Sequence, residues 1–219
     1  GAVVASLPKS ITVHGQKLMT TVIVVDDCSR DGTGEEAKNT DAVVLPHSMN
    51  VGAGGATRTG LRYVIDCCPD AEYVVTMDAD GQHSAKDIQK MLRHAVQTNA
   101  DLIVGNRLHP GNRQNMPLHR SVGNWGLSAI GRVLFGVKTQ DTQSGLRLFK
   151  ASRLPVLADY TIDRFGFATE MLWLATRQGL DIHEFPISVN YSDETLAKGQ
   201  SKWGAVDLII SFLWIRISR

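Results

Sequence analysis

Along the first half of the chain, short apolar runs alternate with stretches whose apolar residues recur at helical spacing. Residues 21–25, 41–45, 72–77 and 101–104 are β-branched or apolar and read as strands. Residues 34–39, 53–67 and 85–98 read as helices between them, the last with Ser84 and Asp87 as start signals. Strands alternating with helices predict an α/β domain, a mostly parallel sheet flanked by helices. In such sheets ligands lie at the carboxyl ends of the strands. That edge collects Asp26 and Asp27, Asp78 and Asp80, and Arg107 before any chemistry is assigned.

The second half is less regular. Residues 105–115 read as a loop and 120–135 as an amphipathic helix. A turn at 141–145 leads into a strand at 146–149. A helix over 166–179 and a strand over 182–189, broken at Pro186, follow, and 191–202 is polar. The pattern predicts one domain over 1–202 and an amphipathic or juxtamembrane helix over 203–219. At the other end, residues 1–7 read as the end of a helix running into Pro8. The first strand of a Rossmann-like sheet is therefore expected to be missing.

Bulk properties narrow the picture modestly. The 219 residues suit one domain, and 43% hydrophobic with 21% charged residues is ordinary for a globular protein. A net charge of +1 gives no global attraction to nucleic acid, which is not expected as a partner. Cys28, Cys67 and Cys68 lack metal-ligand spacing and read as reduced thiols. No apolar run approaches the roughly 20 residues needed to span a bilayer. The longest, 208–215, suits a helix on a membrane surface or a spanning segment cut short.

Candidate chemistry concentrates at the strand ends. Asp78-Ala79-Asp80 follows a strand, and two carboxylates at i and i+2 can share a hard cation that grips a diphosphate. The same residues can instead form a solvated turn at Asp80-Gly81. A haloacid-dehalogenase-type phosphatase also places Asp-x-Asp-Gly after a strand, but it expects Thr where Gln82 stands. Asp26 and Asp27 can accept hydrogen bonds from a base or ribose, or serve as caps and turn formers with Ser29 and Asp31. The approach to the second long helix, Asn50-Val51-Gly52-Ala53-Gly54-Gly55, is glycine-rich. It has Thr57 where the dinucleotide fingerprint needs its third glycine, so close helix–sheet packing is the favoured use of these glycines. Arg107, Arg113, Arg120, Lys138, Arg147 and Arg153 make the middle of the chain basic, a phosphate site or simply a solvated face.

Taken in order, these segments resemble family 2 glycosyltransferases of the GT-A fold, in the dolichol-phosphate mannosyltransferase-like, polyprenyl-phosphate branch. The resemblance runs through Asp26-Asp27-Cys28-Ser29, Asn50-Val51-Gly52, Asp78-Ala79-Asp80-Gly81-Gln82-His83 and Gly105-Asn106-Arg107. It continues through Asp141-Thr142-Gln143-Ser144-Gly145, Phe167-Ala168-Thr169-Glu170 and Gly199-Gln200-Ser201-Lys202. It implies a metal-dependent inverting transfer from a GDP- or UDP-sugar donor to a polyprenyl phosphate. Asp78, Asp80 and Gln82 would hold Mg2+ or Mn2+, with Asp26, Asp27, Asn50 and Gly52 on the donor side. Arg107, Arg120 and Asn124 would take the acceptor phosphate. Asp141 and Ser144 would lie beside the reacting centre with Asp80, and Lys202 in a segment closing over the substrates. Cys28 stands where the family has glycine.

The resemblance also implies a protein at the cytoplasmic face of a membrane, with the tail as its interfacial helix. A tail packed on the core or in a homo-oligomer is the alternative. Two other functions stay open: a transferase with a non-lipid acceptor, and a non-catalytic nucleotide-sugar-binding module.

Overall fold

The computed structural model describes residues 1–109, 136–137, 139–164 and 166–189. The chain enters through α1 (Ala2–Ser6) and a hairpin of β1 (Ser10–Val13) and β2 (Gln16–Met19). Then come β3 (Ile23–Asp26), α2 (Thr33–Lys38), β4 (Val43–Pro46), α3 (Ala53–Cys67), β5 (Tyr73–Thr76), α4 (Ala85–Thr98) and β6 (Leu102–Asn106). Strand β7 (Arg147–Lys150), a 3-10 turn at Ala151–Arg153, α5 (Leu154–Leu157), α6 (Phe167–Arg177) and β8 (Ile182–Pro186) complete the described elements.

Each run expected to form a strand or helix in the first half does so, with ends shifted by a residue or two. The β1–β2 hairpin is the exception, an element the apolar pattern did not predict. Its signal is His14-Gly15, whose φ values of 46° and 83° put both turn residues in the left-handed region required by a two-residue hairpin loop. Ile11 and Val13 are buried against Ile88 and Met91 of α4, which gives the hairpin its apolar footing.

Strands β3 and β4 pair in parallel, Asp26 opposite Pro46. The larger sheet has the order β5-β7-β6-β8. Strand β7 runs antiparallel to both β5 and β6, while β6 and β8 are parallel. Three strands of this sheet thus point one way and β7 reverses. The reversal brings the start of β7 to the edge where β5 and β6 end, with Arg147 opposite both Thr76 and Val104.

The period-two alternation of these strands divides the core. Leu102, Val104 and Phe149 pack with Leu61, Val64, Met171 and Leu172 of α3 and α6 on one face. Ile103, Leu146 and Leu148 pack with Met91, Leu92 and Ala95 of α4 on the other. Ser84 caps α4 by accepting the Lys86 N–H at 3.2 Å. Asp87 is the acidic residue of the first turn of α4, and its buried carboxylate also accepts the Ser188 N–H at 2.7 Å, fastening the segment after β8. The expected loop and helix between 110 and 135, and the tail helix over 203–219, lie outside the described residues. Among the described residues, no helix is long and apolar enough to cross a membrane.

Candidate active site

Strand direction gathers the site. Strand β5 delivers Met77 and Asp78 beyond its last residue, β6 delivers Arg107, and the reversed β7 is fed by the turn at 141–145. Asp78, Arg107, Gln143, Ser144, Gly145 and Arg147 line one cleft of about 170 Å³, with Ala53 and Thr57 of α3 and Phe167 of α6 completing it. Thr76 Oγ1 donates to the Gly145 carbonyl at 3.2 Å, which ties the turn to the end of β5.

The Asp78 side chain is 61% accessible, and His83 Nε2 stands 3.7 Å from its carboxylate. That imidazole does most to hold the Asp78 carboxyl below the usual carboxylate range. Burial works the other way, and the charges of Arg107 and Arg147 add to the lowering. Gly145 leaves the space this carboxylate uses, since a Cβ there would collide with it. Asp80 is exposed, and one of its oxygens accepts the Gln82 N–H at 3.0 Å.

Two carboxylates at i and i+2, Asp78 lining the cleft and Asp80 exposed, suit a hard cation. Among the described residues, no group of three or more His, Cys, Asp and Glu side chains is placed to hold a metal unaided. An ion here would complete its shell with Gln82, a diphosphate and water.

Arg107 and Asp141 form a two-pronged ion pair, Nε to Oδ2 at 2.7 Å and Nη2 to Oδ1 at 2.8 Å, and the Arg107 N–H adds a third bond at 3.0 Å. Asp141 has no exposed surface. Burial pushes its carboxyl up, but Arg107, with a lesser contribution from Arg147, brings it below the ordinary range. Glu184 of β8 accepts the N–H groups of Gln140 and Asp141 at 2.6 and 3.1 Å. Asp141 is thus held directly beneath Arg107, which lines the cleft. Glu184 is a further support; its partners lie more than 40 residues away, which hides it from a reading of local motifs.

Of the two readings open for Arg147, the solvated face is excluded: the residue is 2% exposed. Its guanidinium donates to the carbonyls of Thr142, Ser144 and Ala168. Ser144 is buried as well, and its hydroxyl has no hydrogen-bond partner among the described residues. Gln143 Nε2 donates to Thr169 Oγ1 at 2.8 Å, a second link from the turn to α6.

The first acidic pair is built differently. Asp27 accepts the N–H groups of Val51 and Gly52 at 2.9 and 2.8 Å and contacts His47 Nδ1 at 2.8 Å. Burial raises its pKa, and these partners together lower it further than burial raises it. Asn50 Nδ2 donates to the Asp27 carbonyl. Asp27, Asn50 and Gly52, expected on the donor side, are hydrogen-bonded to one another and fix the start of α3 beside the cleft. Asp26 accepts the Ser29 N–H at 3.1 Å and lies against Gly34. Cys28 adopts φ 61°, a left-handed conformation that explains why glycine suits this position.

Gly54, at the start of α3, packs closely against a loop, while Gly60 further along the helix faces Val25 of the sheet. A Cβ on Gly54 would meet the Ile162 carbonyl at 2.6 Å, and Gly54 O accepts the Tyr160 hydroxyl at 2.7 Å. Glu170 holds that loop from the other side through the Thr161 and Ile162 N–H groups. Arg120, Asn124 and Lys202 lie outside the described residues.

Known proteins share both the sequence pattern and the fold. The family model Glycosyl transferase family 2 matches residues 5–153. The UDP-N-acetylglucosamine--dolichyl-phosphate N-acetylglucosaminyltransferase of Methanococcus voltae is 34% identical over 217 residues, covering 90% of this chain and 86% of that protein. The undecaprenyl-phosphate mannosyltransferase of Micrococcus luteus is 33% identical over 193 residues, covering 84% and 77%. The structure of glucosyl-3-phosphoglycerate synthase from Mycobacterium tuberculosis with UDP superimposes with a TM-score of 0.66 at 17% identity, covering 91% of this chain and 70% of that one. The same enzyme bound to Mn2+ and UDP-glucose gives 0.61 at 16% identity, covering 91% and 70%. These likenesses place the fold among GT-A glycosyltransferases and set aside the phosphatase and non-catalytic readings. The chain belongs to glycosyl transferase family 2, and it is a glycosyltransferase of the polyprenyl-phosphate branch.

Proposed function

We propose that this enzyme transfers a sugar from a GDP- or UDP-sugar to a polyprenyl phosphate, with inversion, using a divalent metal at Asp78 and Asp80. The observation that carries the reading is the cleft itself. It sets an ionised, accessible carboxylate at Asp78 beside Arg107, Arg147 and the unpartnered hydroxyl of Ser144. Such a set recognises two anionic groups at once, a donor diphosphate through a cation and an acceptor phosphate through arginine and hydroxyl. The names of the two relatives, both transferases acting on a lipid phosphate, agree with it.

Mg2+ or Mn2+ bound by Asp78, Asp80 and Gln82 would neutralise charge on the departing nucleoside diphosphate. The protein's own part is positioning. Arg107, locked in orientation by Asp141, presents its guanidinium to the cleft with little freedom left to lose. A lipid phosphate is already an anion and a nucleophile. The cleft therefore has to hold two negative groups together more than to remove a proton. Arg120 and Asn124 are proposed to join the acceptor side, and Lys202 to close over the substrates. Asp26 is proposed to contact the nucleoside, since Asp27 is committed to α3. A lipid acceptor places the work at a membrane surface, on the cytoplasmic face where nucleotide-sugars are supplied, with residues 203–219 as the interfacial element.

The test is to incubate the protein with vesicles containing a polyprenyl phosphate and radiolabelled GDP-mannose, UDP-glucose or UDP-N-acetylglucosamine. Metal-dependent label in the lipid extract from one donor is the expected result. Label that appears only in water-soluble products, with any of the donors, would favour a non-lipid acceptor.

A further inference from the structure

The buried cation under the cleft is not explained by packing alone. Arg147 occupies β7 opposite Thr76 and Val104, on the face it shares with Phe149. Its strand neighbours Leu146 and Leu148 are fully buried aliphatics, and Met171 of α6 lies over it, 3.5 Å from Nη1. An aliphatic residue would fill such a place without desolvating a charge. The guanidinium instead reaches three carbonyls, Ser144 at 3.0 Å, Ala168 at 2.8 Å and Thr142 at 2.7 Å.

Carbonyls orient a cation but do not neutralise it. Among the described residues no carboxylate is hydrogen-bonded to Arg147, and the nearby Asp141 is already matched by Arg107. Burial brings the guanidinium down to about 10, so it stays protonated at neutral pH. A fixed positive charge therefore lines the same cleft as Asp78, and its direction is set by the turn and by α6 at once.

We infer that Arg147 is a positioning residue of the transfer reaction. It fastens the 142–145 turn to the first turn of α6 and holds a permanent positive charge beneath the site of the donor diphosphate. This rests on the donor reading above. It goes beyond that reading by assigning the charge balance of the cleft to a residue whose hydrogen bonds go to three protein carbonyls. Once a divalent ion is bound by Asp78, that carboxylate no longer offsets Arg147, and the diphosphate becomes the counter-charge that completes the cleft.

The test compares R147Q, which removes the charge and keeps some donors, with R147K, which keeps the charge and loses the fork. Calorimetry in Mn2+ would measure binding of a nucleoside diphosphate and of the matching monophosphate, with circular dichroism as the check on folding. R147Q should lose about tenfold in affinity for the diphosphate and clearly less for the monophosphate, because the missing charge acts in proportion to ligand charge. R147K, which keeps a charge but not the fork, should lose clearly less diphosphate affinity than R147Q.

Equal losses for the two ligands in folded R147Q, or no loss, would overturn the inference. So would a loss in R147K as large as in R147Q. Should R147Q fail to fold, a tenfold loss of diphosphate affinity in folded R147K would overturn it as well, and retention would support it. A wild-type protein that binds no nucleoside diphosphate at all would instead sink the donor reading.

Discussion

The two acidic pairs of this chain follow strands in similar fashion and end in opposite states. At the end of β3, Asp27 is closed: two backbone N–H groups and His47 occupy its carboxylate, and it fixes the approach to α3. Beyond β5, Asp78 is open: its carboxylate faces a cleft, with a glycine kept opposite it and His83 alongside. The comparison separates a carboxylate that builds the site from one that is available to a ligand. Burial by itself does not make this distinction; the distribution of hydrogen bonds does.

Substitutions can break the comparison at either end. On the proposed metal reading, Asp80→Ala and Asp78→Ala should each reduce kcat by about a thousandfold or more, with the melting temperature nearly unchanged for the exposed Asp80. Asp141→Asn should reduce both properties. Removing one charge of a buried pair costs about 3–5 kcal/mol, and Arg107 would lose its fixed direction. Asp27→Ala should act mainly on stability, by about 2 kcal/mol in a urea titration, as two N–H donors lose a charged acceptor.

Both strand ends also carry a pH signature. Asp27 and Asp78 both have carboxyls held below their ordinary values. The stability linked to each is complete above the unfolded pKa of about 3.9 and is lost as pH falls below that towards the lower folded value. Urea midpoints measured from pH 6 down to 3 should therefore decline, and Asp27→Asn should flatten part of the decline. The smallest effect belongs to Cys28. Cys28→Gly relieves a left-handed residue but loosens the unfolded chain, so a net gain under about 1 kcal/mol in thermal melting is expected.

Much of this was legible in the sequence, for definite reasons. Helices α3 and α4 show apolar residues at helical spacing over 15 and 14 residues, long enough for the period to emerge. Strands β3, β5 and β6 were marked by apolar runs that stop at polar residues, and β4 by one that stops at Pro46. The hairpin was not, because Ile11 and Val13 offer only two inward positions and His14 is an unusual turn residue.

The candidate site divides in the same way. Asp78, Arg107 and Ser144 were named from strand ends and motifs, and they share one cleft. The closure of Asp27 was hidden, because its partners lie 20, 24 and 25 residues away and local spacing carries no trace of them. For a related reason the sequence leaves Arg147 open between a phosphate site and a solvated face. In the run Leu146-Arg147-Leu148-Phe149, alternation alone cannot tell a solvent-facing arginine from one that α6 covers. Only the reversed direction of β7 between β5 and β6, a matter of topology, decides it.

The difference between the open and the closed pair is tested most directly by electron paramagnetic resonance of Mn2+ titrated into the protein with and without a nucleoside diphosphate. The account predicts tight Mn2+ binding only when the diphosphate is present. That binding should be lost in Asp78→Asn and Asp80→Asn and retained in folded Asp27→Asn. Unchanged binding in the first two variants, or an equal loss in the third, would contradict it.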